Sequence, residues 1–435
     1  MEVRRGYKQT EVGVIPEDWE ISTLAEYSKK ITDGEHLTPR RSSSGYYLLS
    51  ARNILDGRID LSDVDYVGAG EFRRIRQRCN PESGDVLISC SGTVGRVTTV
   101  PAGLECVMVR SAALVKPDST RLSGPYAQYF LQSSAGQNQI VASLNQGAQA
   151  NLFLNHIQSL RIAVPPSKTE QEAIAGALGD ADALIESLDQ LIAKKRQLQQ
   201  GTTQELFTGK RRLLRTVNVT GTYRQTEAGT IPAEWNLRPL GDLVKHGPKN
   251  GYSGRSGKDG GGTPTLSLSA TSSGRLVLSS ETIKYLEERI PPDSNLFLEP
   301  GDILVQRSNT IDLVGATAIF SGPSKTFIYP DLMMRLRFTK HATAKWFWRY
   351  ANSPAGRHFF SSVAAGSTGS MPKISGAKLR EMPVPVPSLV EQEGVDDVLS
   401  GMDAEIAALE SELVKARQIK QAMMQNLLTG RIRLV

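Results

Sequence analysis

The same passage occurs twice in this chain, and that repetition limits the fold more than any other feature. Residues Tyr7–Leu24 read YKQTEVGVIPEDWEISTL, and residues Tyr223–Leu240 read YRQTEAGTIPAEWNLRPL, 216 positions further on. A repeat of this period must be read before any local feature. By length alone, 435 residues suggest about three domains. The repeat replaces that with two halves of about 217 residues.

The ends of the halves match as well. Glu170-Gln171-Glu172 answers to Glu391-Gln392-Glu393, and Leu206-Phe207-Thr208-Gly209 to Leu427-Leu428-Thr429-Gly430, both at an offset of 221. The second copy therefore holds a net insertion of five residues. The middles agree weakly, as in Gly84-Asp85-Val86-Leu87 against Gly301-Asp302-Ile303-Leu304 and Ser133–Gly136 against Ser353–Gly356. His36–Arg41 has no close counterpart, and the second copy carries the glycine-rich run Gly254–Gly262. Like edges around unlike middles point to a duplicated scaffold with two different reading heads. Divergence alone would explain drift, but not identity concentrated at the edges.

Each half opens with about 160 residues of short β-type runs between turn residues: Tyr46–Leu49, Val86–Ile88 and Arg96–Val100, with the Asp56-Gly57 turn. A shorter helix is expected around Pro125–Gly136 and around Ala344–Ala351, which makes each head a mixed α+β domain. Pro165-Pro166 and Pro383, Pro385 and Pro387 punctuate the ends of the heads. Ser167 and Ser388 follow as helix caps, with Glu170 and Glu391 three residues on, in the capping-box pattern.

Two long helices should then run to Gly209 and Gly430. In the second, Leu399, Met402, Ile406, Leu409, Leu413, Ala416, Met423 and Leu427 recur at steps of three and four, broken by Lys420. In the first, the seam is Leu178, Ala181, Ile185, Leu188 and Ile192, turning polar at Lys195, Gln199 and Thr202 before Leu206. Heptad stripes this long indicate a coiled coil. Neither helix would be stable alone, so pairing of the two within the chain is the economical solution, and pairing with another subunit the alternative.

The chemistry of an enzyme is not visible. There is no phosphate loop, no H-E-x-x-H, no G-x-S-x-G elbow and no G-x-G-x-x-G after a strand. The five histidines do not cluster at metal-ligand spacings, and no metal site is expected. Cys79, Cys90 and Cys106 fit neither a disulfide framework nor a zinc pattern and read as structural thiols. Asp63 and Asp65 read as solvated surface rather than a catalytic pair. No apolar run approaches eighteen residues, so no membrane-spanning helix is expected. The start MEVRRGYKQTEVG shows no apolar signal segment, so a cytoplasmic location is expected. A net charge of +6 permits nucleic acid as a partner without requiring it.

Read in order, these motifs resemble one family. The Q-T-E-x-G-x-I-P-x-x-W opening stands in both copies. With it stand T-D-G-E-H-L-T-P (Thr32–Pro39), S-A-R-N-I-L-D-G-R-I (Ser50–Ile59), G-D-V-L-I-S-C-S-G-T-V-G (Gly84–Gly95) and the E-Q-E helix starts. Together they are similar to the specificity subunit of type I restriction-modification enzymes, over nearly the whole length. The resemblance implies an α+β chain with a pseudo-twofold internal repeat. Target recognition domains at 1–165 and 211–387 would each read one half of a bipartite, asymmetric DNA site. Helical regions at 166–210 and 388–435 would form an antiparallel coiled coil that spaces them. It further implies docking of two methyltransferase subunits and of restriction-translocase subunits. S-adenosylmethionine, ATP and magnesium would belong to those partners, with no cofactor on this chain.

Polar side chains in the divergent loops are the candidates for DNA contact, because Asn and Gln suit adenine edges while Arg and Lys suit guanine and phosphate. In the first head these are His36, Arg40, Arg41, Arg52, Asn53, Ser91, Thr93, Arg96, Gln146, Gln149 and Asn151. In the second they are Lys249, Tyr252, Arg255, Arg307, Ser308, Asn309, Thr310, Ser367, Thr368, Ser370 and Lys373. A surface salt bridge is the plainer account of any single arginine, and a charged face the plainer account of Arg73–Arg78. Trp19 and Trp235 read as core, and the edge motifs and exposed helix faces as docking surfaces for methyltransferase subunits. Rival readings are a specificity subunit of a related restriction-type or phage-defence methyltransferase, a self-contained restriction enzyme, and a structural coiled-coil scaffold. The missing catalytic motifs weigh against the enzyme, and the two unlike heads against the scaffold.

Overall fold

The computed structural model describes residues 5–144, 150–213, 221–255, 261–364 and 371–434, with the side chains of 341 and 342 left aside. The chain divides into two compact units, one of residues 1–190 with 410–435 and one of residues 191–409. Each holds one head and a pair of helical segments.

In the first unit the main sheet has four antiparallel strands in the order Val97–Thr99, Val86–Ser89, Ala112–Pro117, Ser28–Asp33. Its central strands are apolar at successive positions because both faces are covered. Val86, Ile88, Ala113 and Val115 pack with Tyr126, Phe130 and Ile140 of the head helices. Leu87, Ala112 and Leu114 face a second core with Leu49 and Met108. The second sheet pairs Tyr46–Leu49 with Cys106–Met108 in parallel and with Asp65–Val67 antiparallel. Helix Ala69–Arg78 closes its outer face with Phe72 and Ile75. The sequence reading saw only a charged run there.

The second unit repeats the main sheet with Thr317–Ile319, Ile303–Gln306, Met333–Phe338 and Val244–Asn250 in the same order. Pro264–Leu266 pairs with Ile283–Tyr285, and Thr265 bridges in parallel to Ile328. The expected helix near Ala344–Ala351 runs His341–Asn352. Helix Pro354–Val363 follows it, with the Ser353 side chain capping the Gly356 amide, just as Gly124–Gln132 is followed by Ser134–Ala142 with Ser133 capping the Gly136 amide. The punctuating prolines are corrected in one respect. Pro383–Val386 is itself a strand, paired with Asn236–Pro239 in a two-stranded sheet. Proline is tolerated there because an edge strand leaves one row of amides unbonded.

The long helices span Lys168–Phe207 and Leu389–Leu427. Within each unit they run antiparallel. Asp182 meets Lys420 at 2.5 Å and Asp189 meets Arg417 at 2.9 Å in the first unit; Lys195 meets Glu405 at 2.5 Å and Gln199 meets Asp403 at 2.6 Å in the second. Leu178, Leu188, Ile192, Leu399, Ile406 and Leu413 are buried, and Ile185, Met402, Leu409 and Met423 half-buried. Lys420 and Gln199, which interrupt the apolar seam, are thus the residues that reach across it. Polar seam positions of this kind fix register.

The duplicated edges close each unit on itself. Tyr7 donates to the Gly430 carbonyl at 3.0 Å, and Tyr223 to the Gly209 carbonyl at 3.1 Å. Both glycines have positive φ, and a Cβ would strike Pro16 or Pro232. Arg433 binds buried Glu170 and also Asp18; Arg212 binds buried Glu391 and also Glu234. Burial would lower the Arg433 and Arg212 pKa values, yet these carboxylates raise both. Trp19 and Trp235 are core residues under these pairs. The edge motifs form internal clasps, and one expectation changes here: only half of the capping box forms. Ser388 accepts from the Glu391 amide at 3.3 Å, but the Glu391 carboxylate turns to Arg212.

Candidate nucleic-acid interface

At one end of the first head's main sheet, three chain segments converge. Strand Ser28–Asp33 ends there, Val86–Ser89 runs out through Cys90 to Ser91, and Arg110-Ser111 leads into Ala112–Pro117. Ser91 bridges to Asn151. Asp33, His36, Ser91, Arg110 and Asn151 line an open pocket of about 700 Å³. His36 Nε2 lies 2.6 Å from Asp33 Oδ2, and Arg78 donates to Asp33 Oδ1 at 2.6 Å. Burial would raise the Asp33 carboxyl, but Arg78 and His36 outweigh it and hold it below its ordinary value. Glu35 is likewise pushed up by burial and brought down further by the Leu37 amide and Arg74.

The second head builds the same edge from other residues. Ser308 bridges to Lys373 as Ser91 does to Asn151. Gly251 stands where Gly34 stands. The Gly34 amide donates to the Ala112 carbonyl and the Gly251 amide to the Met333 carbonyl, and a Cβ on either would collide with backbone carbonyls. The segment Asp33-Gly34-Glu35-His36 therefore has a counterpart, Asn250-Gly251-Tyr252-Ser253. The sequence comparison missed it because only the glycine is shared.

The other expected contact residues differ in exposure and in pairing. Arg40 and Thr93 are exposed, as are Arg255, Thr310 and Lys373, while Arg96 and Asn309 are half-buried. Arg41 and Arg52 are exposed but paired with Asp65, Lys249 donates to Asn295, and Tyr252 donates to Glu288. Asn53 is corrected to a structural residue, since it is 2% exposed and its amide donates to the carbonyls of Asp60 and Asp63. Ser308 is also buried, and its hydroxyl has no partner. Gln146, Gln149, Ser367, Thr368 and Ser370 lie outside the described residues.

The three cysteines are buried, and burial pushes their thiols up to about 12, which suits packing and not nucleophilic chemistry. No helix among the described residues is long and apolar enough to cross a membrane.

Residues 16–195 match the family model of the type I restriction modification DNA specificity domain. Over nearly its whole length the chain is similar to specificity subunits of type I restriction enzymes. It is 23% identical to the putative MjaX specificity subunit of Methanocaldococcus jannaschii, over 98% of this chain and 96% of that one. Against the EcoKI specificity subunit of Escherichia coli the identity is 24%, over 97% of this chain and 90% of that one. The crystal structure of a type I system S subunit from M. genitalium shares the fold at TM-score 0.55, with 17% identity over 98% of both chains. The two halves keep unlike residues at the matching sheet ends and like residues in the clasps.

Proposed function

We propose that this chain is a specificity subunit and reads a bipartite, asymmetric DNA target, with head 1–165 on one half and head 211–387 on the other. The observation that carries this is the shared edge. Ser91 with Asn151 and Ser308 with Lys373 hold the same backbone bridge while differing in side-chain chemistry. Asn favours adenine edges and Lys guanine. Exposed Arg40 and Arg255 supply charge for phosphate.

The helical regions 166–210 and 388–435 act as the spacer. Four residues inserted near Lys194 lengthen a helix by about 6 Å and should widen the unread gap by one or two base pairs. Leu184, Leu191 and Leu198 are exposed at seven-residue spacing, off the buried seam. They suit helices of two methyltransferase subunits, and restriction-translocase subunits would join that complex. Catalysis, with S-adenosylmethionine, ATP and magnesium, belongs to those partners in the cytoplasm, and this chain holds no metal or cofactor of its own.

Methylation mapping in cells carrying this chain and a methyltransferase subunit tests the reading. One asymmetric motif in two parts is expected, and methylation by the partner without this chain's motif would contradict it. Arg40→Ala with Arg41→Ala should weaken target binding and flatten its salt dependence. Unchanged affinity and slope would remove both from the interface.

A further inference from the structure

The heads differ where the first has helix Ala69–Arg78. There Phe72 and Ile75 cover Leu48, Val67 and Val107. In the second head Thr265 takes the place of Leu48. It bridges in parallel to Ile328 as Leu48 pairs with Val107, and it lies opposite Lys284 as Leu48 lies opposite Asp65. No described helix covers it, since the chain runs from Tyr285 to Ile303 without one. Thr265 is 6% exposed, and its hydroxyl has no hydrogen-bond partner. A buried hydroxyl left unpaired is rare and needs an explanation.

Thr265 lines a pocket of about 470 Å³ with Lys284, Glu281, Ser267, Ser269 and Tyr252. Lys284 and Glu281 are both exposed, and neither has an ion-pair partner among the described residues. An ammonium and a carboxylate on one wall do not suit a phosphate, which Glu281 would repel. They do suit a surface with acceptors beside a donor. In the major groove a G·C pair offers guanine O6 and N7 as acceptors and the cytosine N4 amino group as donor.

We propose that this pocket receives the major-groove edge of one G·C pair in the half-site read by the second head. Lys284 donates to guanine and Glu281 accepts from cytosine N4, with Thr265 in the pocket wall, opposite Lys284 in the strand pair. The first head has no equivalent, because Leu48 is under its helix and Asp65 is held by Arg41 and Arg52. The proposal rests on the DNA-reading function above and adds one base pair to it.

The test uses the full chain with its methyltransferase partner, by methylation mapping and by binding to duplexes carrying single base-pair substitutions. Wild type should require G·C at one position that Lys284→Ala and Glu281→Ala each relax about tenfold or more. The other half-site should not change, and Thr265→Val should weaken the same position less. Unchanged melting of the two exposed-site variants keeps folding out of the comparison. If both alanine variants retain every base preference of wild type, the pocket is not a reader and the proposal is overturned. If wild type itself shows no sequence preference, the DNA-reading function falls, and the proposal with it.

Discussion

The two units solve one packing problem with different polar groups. In the first, Tyr129 donates to Asp182 at 2.9 Å, and Lys420 reaches the same carboxylate. In the second, Asp403 takes Arg275, Arg349 and Gln199, and Arg349 also binds Asp396 at 2.6 Å. Asp182 and Asp403 stand at the 221-residue offset, as do Gln199 and Lys420. Duplication thus kept the acidic anchor of each head on its helix pair and changed the groups that hold it. The reading edges follow the same pattern, with a constant backbone and altered side chains.

The comparison can be broken first at the clasps. Arg433→Ala would leave Glu170 buried and charged, with no hydrogen bond from Trp19 to hold it. A loss of about 3–5 kcal/mol is expected, the usual penalty for orphaning a buried ion. Arg212→Ala should cost less, because Trp235 Nε1 still donates to Glu391 at 3.2 Å. Denaturant unfolding of both variants checks the order, and equal losses would mean that the tryptophan contact is immaterial.

Next come the anchors. Asp403→Ala removes three partners and should cost about 2–3 kcal/mol, the range for hydrogen bonds to charged groups, although Arg349 keeps Asp396. Asp182→Ala, at a more exposed site, should cost about 1 kcal/mol. Thermal melting that reversed this order would contradict the reading of Asp403 as the stronger anchor.

The acid response is a smaller effect. Burial would raise the Asp396 carboxyl, but Lys345 and Arg349 hold it below 3.8. Its contribution is therefore present above that ordinary value and is lost as pH falls through the lowered one. Ala175 occupies the equivalent position in the first unit. Asp396→Asn should lower stability near pH 7 and converge on wild type in strong acid. A constant difference across that range would show that the charge is not what matters.

Much of this was legible in the sequence because the repeat and the heptads are long patterns. Leu178, Leu188 and Leu399 are buried where their spacing demanded. Helix Ala69–Arg78 was not legible, since four arginines and Gly70 leave only Phe72 and Ile75 as buried residues. Asn53 looked like a base reader because its side chain can donate and accept; only the fold shows the loop carbonyls it donates to. The match of Gly34 with Gly251 depends on close backbone approach, which leaves a single glycine as its trace. The clasp arginines, Arg212 and Arg433, lie just beyond the duplicated Thr-Gly stops. They could have been found by asking what those duplicated edges must neutralise.

The central claim is that equivalent edges with unlike side chains read unlike halves of one target. Replacing the second head by a copy of the first, joined at the equivalent prolines and clasps, tests it directly by methylation mapping. The account predicts a target whose two halves become the same sequence in inverted orientation, with the first half unchanged. A folded, methylation-competent chimera that still marks two different half-sites would contradict it.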